Sequence, residues 1–148
     1  MPARGYVPYK ADMPALHKID DGMKLITTIW SGEASDAELV NALIRYQQDI
    51  KSLPVYHSYN EIADFSGAGA FKLSADGLRK LVQIATESDV RGVKTKLAII
   101  VSEPVAYGLA RMYEAYRTFK ANASKEVRVF RNYSNALKWI ACAPDTDS

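Results

Sequence analysis

Apolar positions along this chain alternate between a two-residue and a 3.6-residue period, and the changes of period divide it into elements. Residues 16–19 and 23–30 are β-rich runs separated by Asp20-Asp21-Gly22, and an Asp-Gly pair between two such runs predicts a hairpin. Ser35 stands three residues before Glu38, the capping-box spacing of a helix start. Val40, Leu43, Ile44, Gln47 and Ile50 follow at helical spacing, and Pro54 ends that element. Residues 59–64 predict a third strand. The Gly67 and Gly69 loop then leads to Ser74, an N-cap for a helix with Leu78, Leu81, Val82 and Ala85 on one face. Residues 96–101 (K-L-A-I-I-V) form the continuous apolar run of a strand covered on both faces. Pro104 is pre-set for a first helical turn, and Val105, Leu109, Met112, Tyr116 and Phe119 fall on one stripe, expected to be core together with Ile99. A last strand over 126–131 and a helix capped by Asn132, bearing Ala136, Leu137, Trp139 and Ile140, complete the order ββαβαβαβα. That order predicts an α/β fold: a single mixed, mostly parallel five-stranded sheet with about four helices. Residues 1–13 read as an N-terminal arm, 14–143 as the domain and 144–148 as a loose tail.

With 148 residues, the chain has room for one domain with its own core. A hydrophobic fraction of 48% and a charged fraction of 24% are those of an ordinary globular protein. Nineteen basic against seventeen acidic residues announce no strong electrostatic partner, so neither nucleic acid nor stable membrane insertion is expected. The single Cys142 excludes an internal disulfide framework and fits a reducing compartment. No stretch approaches the roughly 20 apolar residues of a spanning helix, and the first ten residues hold no signal-peptide core. The expectation is a cytoplasmic protein.

Candidate chemistry is sparse. His17 and His57 have no partner at ligand-like spacing, so neither a metal nor another cofactor is expected. Glu61 and Asp64 are placed near the C-terminal end of the third strand, where open α/β sheets hold their ligands, although Asp64 is better suited to bonding amides of the loop over Gly67 and Gly69. No nucleophile–base pair, nucleophile elbow or phosphate loop is visible, so an enzyme is not the first expectation. Beside its apolar stripe the third helix presents Tyr107, Arg111 and Glu114 on another ridge, with Tyr113 at the border and Ser102 in the turn before it. A strand end meeting a helix start is a natural anion pocket, so Ser102, Tyr107, Arg111 and Tyr113 form the candidate ligand-binding set.

Three segments in this order resemble the SpoIIAA-like proteins, a bacterial family related in fold to STAS domains and to CRAL-TRIO lipid-carrier domains. They are D-F-S-G at 64–67, Y-G-L-A-R-M-Y-E at 107–114, and V-R-V-F-R-N-Y-S-N-A-L-K-W-I at 127–140. The resemblance covers about residues 14–142. It implies a non-catalytic binding or regulatory module acting by protein contact through the loop and second helix, with Phe65, Phe71, Ser74 and Asp76 as the contact residues. The alternative it implies is a carrier or sensor of a small apolar or amphiphilic ligand held between the sheet and the third helix. Anti-anti-sigma STAS proteins carry a phosphorylatable serine before a Gly-Leu pair; here Asp76 occupies that place, so a phosphoswitch is not expected.

Nine tyrosines, four phenylalanines and two tryptophans exceed what the stripes use. Tyr6 and Tyr9 in the arm, Tyr46 off the first helix's stripe and Tyr56 before the third strand are therefore assigned to an interface, and a homodimer is expected.

Overall fold

The computed structural model describes residues 14–118 and 124–142, so Tyr6, Tyr9 and Phe119 lie outside the described residues. The opening hairpin pairs β1 (Ala15–Asp20) antiparallel with β2 (Leu25–Trp30). Asp20 accepts a hydrogen bond from the Met23 amide in the turn, and Lys24 takes the left-handed conformation at φ 52°. β4 (Asn60–Asp64), β6 (Thr95–Ile100) and β7 (Lys125–Phe130) add in parallel, giving the order β1-β2-β4-β6-β7. The predicted five-stranded sheet is therefore present, with its antiparallel edge.

Two short strands were not foreseen. β3 (Gly32–Ser35) and β5 (Ala68–Lys72) pair in parallel as a separate two-stranded sheet. Neither contains a β-branched residue, so nothing in their composition announces a strand. Pairing Ala34 with Phe71 is what brings the Phe71 ring over the main sheet.

Helices cover both faces. α4 (Tyr133–Ala141) packs on one, where Leu25, Ile62, Ala98, Ile100, Ala136 and Ile140 form a buried core. α1 (Asp36–Tyr46), α2 (Ala75–Glu87) and α3 (Pro104–Thr118) cover the other, over Trp30, Ile99, Val101 and Val127. Ser35 caps α1 through Glu38, Ser74 caps α2 through the Gly77 amide, and Asn132 caps α4 through the Asn135 amide. Ser74 also donates to Asp36 at 2.5 Å, and a side chain at Gly77 would collide with that same carboxylate. The serine, the aspartate and the glycine are thus one interlocked cap.

α3 lies with a different face inward from the one its apolar letters predict. Ala106, Ala110, Tyr113 and Arg117 point at the sheet, whereas Val105 is 64% and Met112 43% exposed, Tyr116 is exposed and Leu109 only half-buried. Ile99 is buried as expected. Arginine at the last inward position is the reason for the misreading: it interrupts the apolar stripe on the face that is in fact buried. Tyr46 and Tyr56, assigned above to an interface, are used internally, Tyr46 through Glu61 and Tyr56 edge-on against Tyr59 at 5.1 Å.

Candidate functional site

The three-helix face does not close on the sheet. Between α1, α2, α3 and the strands lies a cavity of about 180 Å³. Its walls are Trp30, Leu39, Leu78, Ile99, Val101 and Ala110, and the rings of Phe65 and Phe71 close the end formed by the small sheet. Phe65 stacks tilted on Trp30 at 5.7 Å and edge-on against Phe71 at 5.6 Å, so the aromatic end is rigid. Ala42, Ala63 and Ala110, small residues on three different elements, leave the space open. A dry apolar cavity of about 150 Å³ is enough to take up benzene.

Polar groups enter at the opposite end. Tyr46 from α1 donates to Glu61 Oε2 at 2.6 Å, and Lys125 from the start of β7 pairs with Glu61 Oε1. Burial pushes the Glu61 carboxyl up, but Lys125 and Lys51, with the two hydrogen bonds, hold it below its ordinary value. Burial, and then the same carboxylate, raise the Tyr46 hydroxyl well above the usual phenol range. Beside Glu61 lies a polar chamber of about 70 Å³ that shares Glu61, Tyr46 and Tyr113 with the apolar cavity. Arg117 enters it fully buried, 1% exposed, forked onto both oxygens of Asp89 at 2.7 and 2.8 Å and donating to the Tyr113 hydroxyl at 2.9 Å.

Helix geometry explains how Lys51 reaches this chamber. After α1 the chain continues as a π-helical turn, Gln47–Lys51, in which the Ser52 amide bonds the Gln47 carbonyl at 2.8 Å. Bonding to the fifth residue stacks Lys51 above Tyr46 instead of rotating it away. Pro54 opens a short 3₁₀ turn, Pro54–Tyr56, and Lys51 Nζ donates to the Tyr56 carbonyl at 2.7 Å.

His17 on β1 lines the apolar cavity beside Tyr46, with Nδ1 2.7 Å from Thr28 Oγ1. Burial lowers its pKa to about 4, only partly offset by Asp49. The imidazole is therefore neutral in the folded protein while the unfolded chain titrates near 6.5, so the unfolded state binds more protons between those values and stability falls as pH drops from 6.5 to 4. The loss is on the order of 2–3 kcal/mol by this linkage. Urea unfolding at pH 7 and pH 4.5 should show it, and His17→Gln should flatten that window, leaving the loss at lower pH from the carboxyls held below their ordinary values, Glu61 and Asp36.

The residues predicted from sequence are placed as follows. Of the ligand-binding set only Tyr113 lines the cavity. Ser102 is exposed at the other end of the strands, and Arg111 is exposed and paired with Glu114 at 3.4 Å. Arg131, and not Arg111, lies over the Tyr107 ring at 4.0 Å. Phe65 and Phe71, placed among contact residues, turn inward. Ser74 is held in its cap, and Asp76 is exposed beside Arg79. Asp64 accepts from the Ser66 amide at 2.9 Å. Glu61 sits near the N-terminal end of β4, not the C-terminal end assigned to it, so the polar chamber opens at the edge of the sheet opposite to Ser102. Lys51, Asp89, Arg117 and Lys125 were not singled out; a buried charge leaves no periodic trace in one sequence. Among the described residues no three His, Cys, Asp or Glu side chains converge as a metal site would require, and no helix is long and apolar enough to cross a membrane.

This is a SpoIIAA-like fold. A solved structure from Shewanella loihica PV-4, an uncharacterized protein of the DUF3478 family with a SpoIIAA-like fold, superposes over 91% of this chain and 100% of its own with a TM-score of 0.52. Sequence identity between the two is 13%, so the likeness is one of architecture. No family model and no curated protein matches the chain.

Proposed function

We propose that this protein binds a small, largely apolar ligand in the cavity between the sheet and α1, α2 and α3. The observation that carries the reading is the cavity itself: a native core is packed to near-crystalline density with few voids larger than a water molecule. Three alanines at facing positions keep about 180 Å³ open here. Its volume suits one ring or a short chain with a single polar group, and the polar groups at its base are Tyr46 and Glu61, with the His17–Thr28 pair beside them. The inward turn of Phe65 and Phe71 supports this reading over protein contact through the same two rings, which would need them displayed.

Trp30 in the wall gives the test an optical handle. Titration with single-ring and six- to eight-carbon compounds should change its fluorescence saturably for some of them. Ala63→Leu places three extra carbons in the cavity, so it should abolish that response while leaving the melting temperature unchanged or raised, as cavity filling does. No saturable response from any such compound, or an undiminished one in Ala63→Leu, would overturn the reading.

A further inference from the structure

The polar chamber is short of an acceptor. Two carboxylates face it and both are spent on the protein: Glu61 gives one oxygen to Lys125 and the other to Tyr46, and Asp89 gives both to Arg117. Three cations face it, and what remains unanswered on them is all donor. Arg117 Nε is buried with no hydrogen-bond partner, while Nη1 donates to Tyr113 and Nη2 to both oxygens of Asp89. Lys51 Nζ has a single carbonyl, that of Tyr56, for its three protons, and no carboxylate pairs with it among the described residues. The Tyr113 hydroxyl accepts from Arg117, so its own proton is free to be donated. With Lys51, Arg117 and Lys125 against Glu61 and Asp89, the chamber carries one positive charge more than negative. For Arg117, fully buried and charged, a donor left unmade is costly; Lys51 is half-buried.

We propose that the ligand is a small monocarboxylic acid, its ring or short chain in the apolar cavity and its carboxylate in the polar chamber on Lys51, Arg117 Nε and the Tyr113 hydroxyl. The inference rests on the cavity reading and adds the chemical class. Tyr46, Glu61 and Tyr113 line both spaces, so the two adjoin, and a molecule with an apolar body and a polar end would reach from one into the other. A carboxylate brings acceptors only, matching a site whose open valences are donors only, and it brings the one negative charge the chamber lacks. A neutral alcohol or an amine would leave Lys51 unanswered, and an amine would add a second uncompensated cation. Burial already pulls the Lys51 ammonium below its ordinary value, which an incoming carboxylate would reverse.

The test compares isosteric pairs, benzoate with benzyl alcohol and hexanoate with hexanol, by calorimetry at pH 7 on the full chain. The acid of each pair should bind about tenfold to a hundredfold more tightly than its alcohol, the margin a charge-assisted contact gives. Lys51→Met should erase that preference. Equal or tighter binding of the alcohols to the wild type would overturn the carboxylate assignment and leave the cavity reading standing. Binding of neither member by the wild type would overturn both. Should Lys51→Met fold poorly, the wild-type acid-to-alcohol ratio decides the matter alone.

Discussion

Replacing Asp89 with alanine should destabilise this protein by about 3–5 kcal/mol, the cost of leaving a buried guanidinium without its counter-charge. Arg117 is 1% and Asp89 8% exposed at the side chain, so water does not take the carboxylate's place. The guanidinium stays charged in the fold: burial pulls its pKa down, but Tyr113 and Asp89 outweigh that and raise it. Most of the bond is also geometric, since both Asp89 oxygens meet Nη2 and Tyr113 holds Nη1. A loss of this size is a large share of the roughly 5–15 kcal/mol that domains possess. Urea denaturation should show a lower midpoint at an unchanged slope. A midpoint within experimental error of the wild type would mean that the loop carrying Asp89 does not pack against α3.

Glu61→Leu is expected to have the second largest effect, about 3 kcal/mol, because it strands Lys125 and the Tyr46 hydroxyl together. The cause distinguishes it from an ordinary core substitution. A leucine of similar volume removes no packing, so the whole penalty comes from groups left without a partner. Removing the second charge as well should therefore restore stability: Glu61→Leu with Lys125→Met should regain most of the loss, as buried pairs replaced by apolar residues commonly do. The coupling energy from the full set of single and double variants should be at least about 1 kcal/mol, well above the scatter for independent sites. Additive effects would place the two side chains out of contact.

Much of the fold was legible because its signals are local. Ser35, Ser74 and Asn132 each announced a helix start by cap chemistry, and each caps in the structure. The run at 96–101 is an inner strand of the parallel part of the sheet, and the Asp-Gly hairpin is the antiparallel edge. The small sheet of β3 and β5 was invisible because it depends on a contact across more than thirty residues between strands without β-branched side chains. The site was harder still. Tyr107 and Arg111 are correctly spaced to meet on a helix, yet Tyr107 takes Arg131 and Arg111 takes Glu114. Arg117 escaped notice because arginine is seldom fully buried, and its carboxylate partner lies in a loop twenty-eight residues earlier. The cavity itself is written in alanines, which count as apolar in any pattern and say nothing of the space they leave.

Methyl-resolved NMR during a benzoate titration tests the central claim most directly, because the two faces of the sheet serve as site and control in one molecule. Leu39, Leu78 and Ile99 line the cavity, whereas Ile100 and Ile140 are sealed beneath α4 on the opposite face. The account predicts saturable shifts of the Leu39, Leu78 and Ile99 methyls, with those of Ile100 and Ile140 at rest. Unmoved cavity methyls at saturating ligand, or equal shifts on both faces, would contradict it.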